Sequence, residues 1–297
     1  MIVTEESVEA YLERFQSRRG PSGHTVRAYR SDLRDYLGFI RGRDVDETPA
    51  NAVMAYVRQL MTERCLSPRT VRRRIASLRG LYGDPATLGR VAENPFVDLK
   101  LQLPRVKQLP RALAREDAAR LAQAAWRVWQ PSRGVGRQVA VAVLLLISVG
   151  LRVGELVQLR ATDFDDQSAI LHVRGKGRRE RRVPVVDPKL AQGLGTLAKR
   201  GQPHLFGDGD TAWSTQSFRH RLKHFARAAG VTRHVTPHML RHTSATLHLE
   251  DGVDLLFLQR MLGHESISTT ALYAHVADAS LKRALEKAGL LTTLAAA

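Results

Sequence analysis

The sequence predicts a mainly helical protein of two domains, with a small β-hairpin in the second. Three observations support this. Four amphipathic segments fill residues 1–83, each opened by Thr or Ser and with apolar residues three or four positions apart. Residues 84–110 are broken by four prolines, which is typical of a linker. Residues 111–297 combine further helical segments with two short strands.

The composition points to a polyanionic partner. The formal net charge is +17 and the pI is near 10.9, more than solubility usually needs, so nucleic acid is the simplest partner. The single cysteine, Cys65, leaves no disulfide framework and fits a reducing cytoplasm. The acidic, amphipathic start does not resemble a signal peptide, and the apolar run Val139–Val149 is too short to span a bilayer. We therefore expect a cytoplasmic protein associated with the nucleoid.

The N-terminal helices are predicted from their start signals. They begin after Thr4, after Ser22, at Thr48-Pro49 and at Ser67-Pro68, because a hydroxyl side chain can accept a free N–H of the first turn. The fourth helix contains no acidic residue, so we interpret its arginine-rich outward side as a contact for the phosphate backbone rather than a solvated face. The residues of this side are Arg69, Arg72, Arg73 and Arg79.

The second domain is predicted to hold a hairpin between helices. After helices at Glu116–Trp129 and over the apolar run, Arg152 and Glu155 stand at the start of a further helix. Strands at Ile170–Arg174 and Arg182–Val186 are joined by GKGRRER, which puts Lys176 between two glycines at the tip. A hairpin tip can reach into a groove. Further cations predicted to support DNA contact are Arg178, Arg179, Arg181 and Arg182 at the hairpin and Arg219 on a helix over Ser214–Ala229.

The stretch from Thr236 to Tyr273 is rich in side chains suited to phosphoryl transfer. Thr236 and Pro237 begin a helix that places His238 and Arg241 on one face of its first turn, where the helix dipole favours an anion. A second helix over Asp254–Leu262 ends at Gly263 with His264 just beyond, and a third carries Tyr273. A lone tyrosine on a helix is usually a packing residue, and a lone histidine is usually a hydrogen-bonded structural or surface residue. The prediction therefore depends on the ordered set of these residues. Met239 stands where the HExxH zinc pattern needs a glutamate, which argues against a metal.

In this order, the motifs GLRVGEL, GKG, HMLRH, LGH and STTALYAHV resemble the tyrosine recombinase (phage integrase) family, and the two-part layout resembles its Xer-type site-specific recombinases. The resemblance covers nearly the whole chain and departs from the family pattern only in the order of Leu and His within TSATLHLEDG. It implies a helical core-binding domain of SAM-like fold and an α+β catalytic domain. The family's catalytic set falls on Arg152, Lys176, His238, Arg241, His264 and Tyr273, and its acidic residue on Glu155.

The resemblance implies a mechanism without metal, ATP or other cofactor. Tyr273 attacks a DNA phosphodiester to form a 3′-phosphotyrosyl link, Arg152 and Arg241 bind the non-bridging oxygens, and His264 hydrogen-bonds the phosphate. His238 acts as general base and Lys176 as general acid. The partners implied are double-stranded DNA with paired sites and a homotetramer, or a heterotetramer with a related recombinase. A C-terminal helix over Ala279–Leu290 would dock on its own domain or on a neighbouring subunit.

Two alternatives remain open at this point. A type IB topoisomerase shares a similar catalytic set but relaxes supercoils as a monomer, and the arginine-rich N-terminal module favours the recombinase. A DNA-binding regulator without catalysis is disfavoured because the set is intact. The sequence is equally compatible with resolution of chromosome or plasmid dimers and with integration or excision of a mobile element.

Overall fold

A computed structural model of the chain describes residues 3–41, 48–88, 94–97, 99, 112–129, 135–175 and 180–263. The chain divides into two compact units, Met1–Gln108 and Leu109–Ala297. The described residues are mainly helical with small antiparallel sheets, which confirms the predicted fold class. Several predicted features lie outside the described residues: Lys176, Arg178, Arg179, His264, Tyr273 and the helix over Ala279–Leu290.

The first unit is built from helices that begin where the sequence predicts. In each of the first four, the side chain of Thr4, Ser22, Thr48 or Ser67 accepts the N–H three residues on. The helices are α1 (Glu5–Arg19), α2 (Gly23–Ile40), α3 (Pro49–Thr62), α4 (Pro68–Tyr82) and the short α5 (Pro85–Leu88). The apolar faces of α1 to α4 meet in one core around Leu33, Tyr36 and Tyr56. Asp84, predicted as the first linker residue, forms an ion pair with Arg14 of α1.

A network of charged side chains and one tyrosine connects α2, α3 and α4. The nearly buried Arg74 contacts Asp32 and Asp35, and it donates to the hydroxyl of Tyr56 at 2.8 Å. Tyr56 in turn donates to Asp35 at 2.6 Å. Burial and the bond to Asp35 raise the pKa of Tyr56, so the phenol stays neutral. One guanidinium of α4 therefore binds groups from two other helices, α2 and α3.

Replacing Arg74 with methionine should destabilise the first unit by about 1–3 kcal/mol, because Asp32, Asp35 and Tyr56 lose a shared donor in a largely buried network. Each carboxylate keeps a second arginine, Arg73 at Asp32 and Arg64 at Asp35. Urea unfolding of the full chain measures this by circular dichroism and tryptophan fluorescence together. All three tryptophans, Trp126, Trp129 and Trp213, belong to the second unit. We expect the midpoint of the dichroism transition to fall. Arg41→Met removes an exposed arginine paired with Glu5 and is the control; an equal, small shift for both variants would contradict the prediction.

The second unit surrounds one apolar helix. Its helices are α6 (Arg115–Trp129), α7 (Val135–Val149), α8 (Val153–Gln158), α9 (Pro188–Ala198), α10 (Thr215–Ala228), α11 (Pro237–Glu250) and α12 (Leu255–Leu262). Almost every side chain of α7 from Gln138 onward is buried, and α7 packs against α6, α9, α10 and α11. The predicted buried helix is thus confirmed.

Two small antiparallel sheets lie in the described part of this unit. The first has the order β1 (Phe164–Asp165), β2 (Ile170–Arg174) and β3 (Glu180–Pro184), with Leu171 opposite Val183. The second pairs β4 (Gly207–Asp208) with β5 (Thr211–Ala212). The sequence predicts the second strand of the hairpin at Arg182–Val186, whereas β3 begins and ends two residues earlier. Ile170 pairs with Pro184, which ends the ladder, and the side chain of Val186 is exposed beyond it.

No helix within the described parts of the chain is both long and apolar enough to cross a membrane.

Candidate active site

The first turn of α11 presents its two predicted functional side chains differently. The hydroxyl of Thr236 accepts from the N–H of Met239 at 3.2 Å, and Pro237 occupies the first helical position. His238 is exposed, whereas Arg241 is buried. The turn therefore offers an accessible imidazole beside a guanidinium that is fixed within the protein.

Arg241 joins the ends of two other helices. Its Nη1 donates to the carbonyl of Gly150, after α7, at 2.7 Å, and its Nη2 donates to the carbonyl of Leu262, in α12, at 2.7 Å. Gly150 has a φ of +67°, and a Cβ there would lie 2.5 Å from Cδ2 of Leu262. Only glycine suits this position, because a larger residue would be strained and would press on the helix end that Arg241 holds.

Arg152 is anchored but remains reachable from solvent. It immediately precedes α8, and its Nη1 donates to Glu155 at 2.8 Å. Its Nη2 donates to the carbonyl of Gly263 at 2.9 Å. The side chain is nevertheless 45% exposed. The guanidinium is thus oriented by the protein and still able to meet an anion.

Three guanidinium groups donate hydrogen bonds to the carboxyl end of α12. The last carbonyls of a helix have no partner within the helix, and they form the negative end of its dipole. Here the carbonyls of Met261, Leu262 and Gly263 accept from Arg181, Arg241 and Arg152, at 2.8, 2.7 and 2.9 Å respectively. Two of the predicted catalytic residues therefore converge on consecutive peptide groups directly before His264.

Glu155 is the carboxylate of this cluster. It accepts from both terminal nitrogens of Arg181, at 3.0 and 2.8 Å, and from the N–H of Arg152 at 2.9 Å. Burial raises the pKa of Glu155, but the bonds and charge of Arg181, with those of Arg152, outweigh it and hold the pKa below its ordinary value. Glu155 is therefore ionised at neutral pH.

The structure corrects the interpretation of Arg181. The sequence places it among the hairpin cations that face DNA, but its side chain is only 14% exposed and is used inside the protein. The signal that could have found it is the alternation along β3, since Arg181 and the buried Val183 are two residues apart and share a face.

His238 stands beside a second histidine. The Nε2 atoms of His238 and His242 are 2.8 Å apart, so one donates a hydrogen to the other. Burial, followed by the charges of His238 and Arg241, lowers the pKa of His242 to about 4. His242 is therefore neutral at pH 7. Within the described ranges, no three or more His, Cys, Asp or Glu side chains are grouped so that they could hold a metal ion.

The predicted DNA-contacting arginines of the described chain are mostly on the surface. Arg69, Arg73, Arg79 and Arg219 are exposed, and Arg72 is half-buried. Arg79 lies over the ring of Phe96, 5.5 Å from its centroid. The premise that the α4 arginines lack acidic partners is wrong for Arg73, because Asp32 of α2 contacts it. The helix itself has no acidic residue, so the partner is visible only in the tertiary structure.

Comparisons with known proteins agree with this architecture. Residues 112–280 match the model of the phage integrase family, and residues 8–83 match the N-terminal SAM-like domain of phage integrases. The tyrosine recombinase XerC of Oceanobacillus iheyensis is 34% identical over 94% of this chain and 94% of its own length. The tyrosine recombinase XerD of Pseudomonas putida is 31% identical over 93% of this chain and 94% of its own.

Solved structures show the same fold. The XerH site-specific recombinase bound to palindromic difH substrate matches with a TM-score of 0.73 at 18% identity, covering 95% of this chain and 84% of that one. A λ integrase tetramer bound to a Holliday junction matches with a TM-score of 0.70 at 18% identity, covering 91% of this chain and 77% of that one.

Proposed function

Since the chain belongs to the phage integrase family and is a tyrosine recombinase, we propose that it exchanges strands at specific DNA sites through a covalent bond to Tyr273. The observation that carries this assignment is the convergence of Arg152 and Arg241 on the adjacent carbonyls of Gly263 and Leu262. Two guanidiniums held at one helix end form a site for the phosphate whose charge increases during attack. His264 and Tyr273 follow this helix end in the sequence.

The proposed reaction balances without a cofactor. The Tyr273 oxygen forms a bond to phosphorus, and the bond from phosphorus to the 5′-oxygen breaks. His238 takes the phenol proton, and Lys176 gives a proton to the departing 5′-oxygen. His264 donates a hydrogen bond to the phosphate. The neutral His242 is hydrogen-bonded to His238, with 2.8 Å between their Nε2 atoms, and so orients the proposed base. A strand end bearing a 5′-hydroxyl then reverses the step.

The assembly we propose is a tetramer on two paired duplex sites in the cytoplasm, at nucleoid DNA. The λ integrase tetramer on a Holliday junction supports this assembly by similarity of fold. The C-terminal segment Ala279–Leu290 is proposed to contribute to it. The named relatives are recombinases, which favours recombination over supercoil relaxation or a silent regulator.

A suicide substrate with a nick near the scissile phosphate tests this function, because the released fragment diffuses away and traps the covalent intermediate. The chain has six tyrosines, and Tyr273 is the only one after residue 108, so peptide mapping of the adduct is unambiguous. We expect Tyr273 joined to a 3′-phosphate, without added metal or ATP. No adduct on any DNA bearing candidate inverted repeats, or an adduct at another residue, would refute the proposal. Relaxation of plasmid lacking such repeats would instead favour the topoisomerase alternative.

Replacing Arg69 and Arg72 together with glutamine should weaken DNA binding and flatten its dependence on salt. The slope of log K against log salt is negative, and each arginine that no longer neutralises a phosphate makes it shallower by about 1. We therefore expect the magnitude of the slope to fall by about 2. Band-shift titrations at several salt concentrations measure the slope. Arg34→Gln removes an arginine paired with Glu9 in the same unit and is the control. A slope equal to that of the control would remove this helix side from the DNA interface.

A further inference from the structure

Arg181 links three parts of the catalytic unit that each carry a proposed catalytic group. It lies on β3, the hairpin strand that follows Lys176 in the sequence. Its Nη1 and Nη2 both bind Glu155, which also holds Arg152. Its Nε donates to the carbonyl of Met261, three residues before His264. Every nitrogen of this guanidinium is thus engaged with the framework around the site.

We propose that Arg181 is a positioning residue for the cleavage reaction, holding Glu155 and the carboxyl end of α12 so that Arg152 meets the scissile phosphate. This inference rests on the proposed function, since it takes Arg152 as a phosphate ligand. Arg181 itself contacts no reacting atom. Its effect passes through the carboxylate that it shares with Arg152 and through the helix end that both arginines cap.

The charge balance of the cluster gives Arg181 a second effect. Arg152 and Arg181 both bind the single carboxylate of Glu155. Without Arg181, the buried Glu155 would have Arg152 as its one cation among these contacts, and the pair would neutralise each other. Arg152 would then offer less positive charge to the phosphate. With Arg181 present, two guanidinium groups share the negative charge of Glu155. The solvent-exposed side of Arg152 therefore keeps a net positive charge for the phosphate.

Arg181 packs closely on Gly263, the residue that ends α12. Gly263 ends α12 in the left-handed conformation, with a φ of +64°. A Cβ at this position would lie 2.9 Å from Nη1 and 3.2 Å from Cζ of Arg181. The absence of a side chain at residue 263 therefore lets the guanidinium lie against the backbone at the exit of the helix.

Single-turnover cleavage of the suicide substrate, with the full chain at saturating concentration, tests this role. We expect Arg181→Gln to lower the cleavage rate constant by about 10²-fold, the cost of misplacing a group by about 1 Å. DNA affinity and the fraction of protein that reacts should stay close to wild type. A purely structural loss would lower that fraction instead. Arg221→Gln is the matched control, because Arg221 is a partly buried arginine of the same unit paired with Asp208.

Arg181→Lys separates charge from geometry. Lysine keeps the charge near Glu155 but cannot bind both carboxylate oxygens and the Met261 carbonyl at once, so we expect an intermediate rate constant. This variant also carries the test if Arg181→Gln proves unfolded by circular dichroism. A wild-type rate constant for Arg181→Lys, in that case, would overturn the inference.

A double-mutant cycle with Arg152→Lys tests whether the effect passes through Arg152. In the Arg152→Lys background, adding Arg181→Gln should cost less than about threefold, because residues acting through one another are not additive. Full additivity, or equal rate constants for Arg181→Gln and Arg221→Gln in the otherwise wild-type chain, would overturn the positioning role. If Arg152→Lys alone cleaves at the wild-type rate, Arg152 is not the phosphate ligand and the positioning role of Arg181 fails. The proposed function itself fails only if the wild-type chain forms no adduct at Tyr273.

Discussion

Tyr273→Phe is expected to abolish DNA cleavage and to leave DNA binding nearly intact. Phenylalanine keeps the ring but lacks the oxygen that forms the bond to phosphorus, and removal of a nucleophile costs at least about 10⁴-fold in rate. Binding should persist because it depends on phosphate contacts from a chain of net charge +17, to which a neutral phenol contributes little. Gel analysis of the trapped adduct and a band shift on the same labelled DNA measure the two properties together.

The other tyrosines supply the control for this variant. All five lie before residue 83, and Tyr29→Phe removes the same hydroxyl group from the first unit. We expect Tyr29→Phe to cleave like wild type. A covalent adduct that survives Tyr273→Phe would show that another residue is the nucleophile. Loss of the band shift in Tyr273→Phe would show instead that the phenol is needed to bind DNA.

The helix starts of the first unit could be predicted because their cause is local. Thr4, Ser22, Thr48 and Ser67 each accept an N–H three residues away, so a few neighbouring letters contain the whole signal. The buried α7 could be predicted for the same reason, since its apolar run is continuous. The ordered set of candidate catalytic residues came from motif resemblance, which likewise uses short sequence windows.

Helix α9 is absent from the sequence prediction, although Asp187 and Pro188 form a local start signal, because glycines in its interior argue against a helix. It contains Gly193 and Gly195, and glycine disfavours a helix interior by about 1 kcal/mol each. The structure supplies the reason for both. A Cβ at Gly193 would overlap the ring of Trp129, and one at Gly195 would overlap the carboxylate of Asp166. These glycines allow close packing against residues distant in sequence, which no local pattern reveals.

The pairing of the arginines was hidden for a similar reason. Arg73 meets Asp32 across 41 residues, and Arg181 meets Glu155 across 26. Counting acidic residues within the same helix or hairpin therefore misjudged which cations are available for DNA. Clusters of like charge in a sequence identify a candidate surface, but the opposite charge that removes a member from it can come from any other element.

Arg241→Lys should cause the largest loss among changes that retain charge at the site. A lysine has a single ammonium group and cannot span the carbonyls of Gly150 and Leu262, which the two terminal nitrogens of Arg241 bind at 2.7 Å each. One carbonyl is then left buried without a donor, at a cost of about 1–3 kcal/mol. We therefore expect the second unit to unfold at lower urea, as tryptophan fluorescence reports.

The effect of Arg241→Lys on catalysis should exceed its effect on stability. Loss of one preorganised donor to a developing negative charge costs about 10²–10³-fold in rate, and the displaced end of α12 would also shift the carbonyl that anchors Arg152. Arg200→Lys is the matched control, because Arg200 also donates to backbone carbonyls, those of Leu197 and Leu205. Single-turnover cleavage below the unfolding transition compares the two. If both variants lose stability but only Arg241→Lys loses cleavage rate, Arg241 acts on the phosphate. Equal cleavage rates for the two variants would mean that Arg241 only stabilises the packing of α7, α11 and α12.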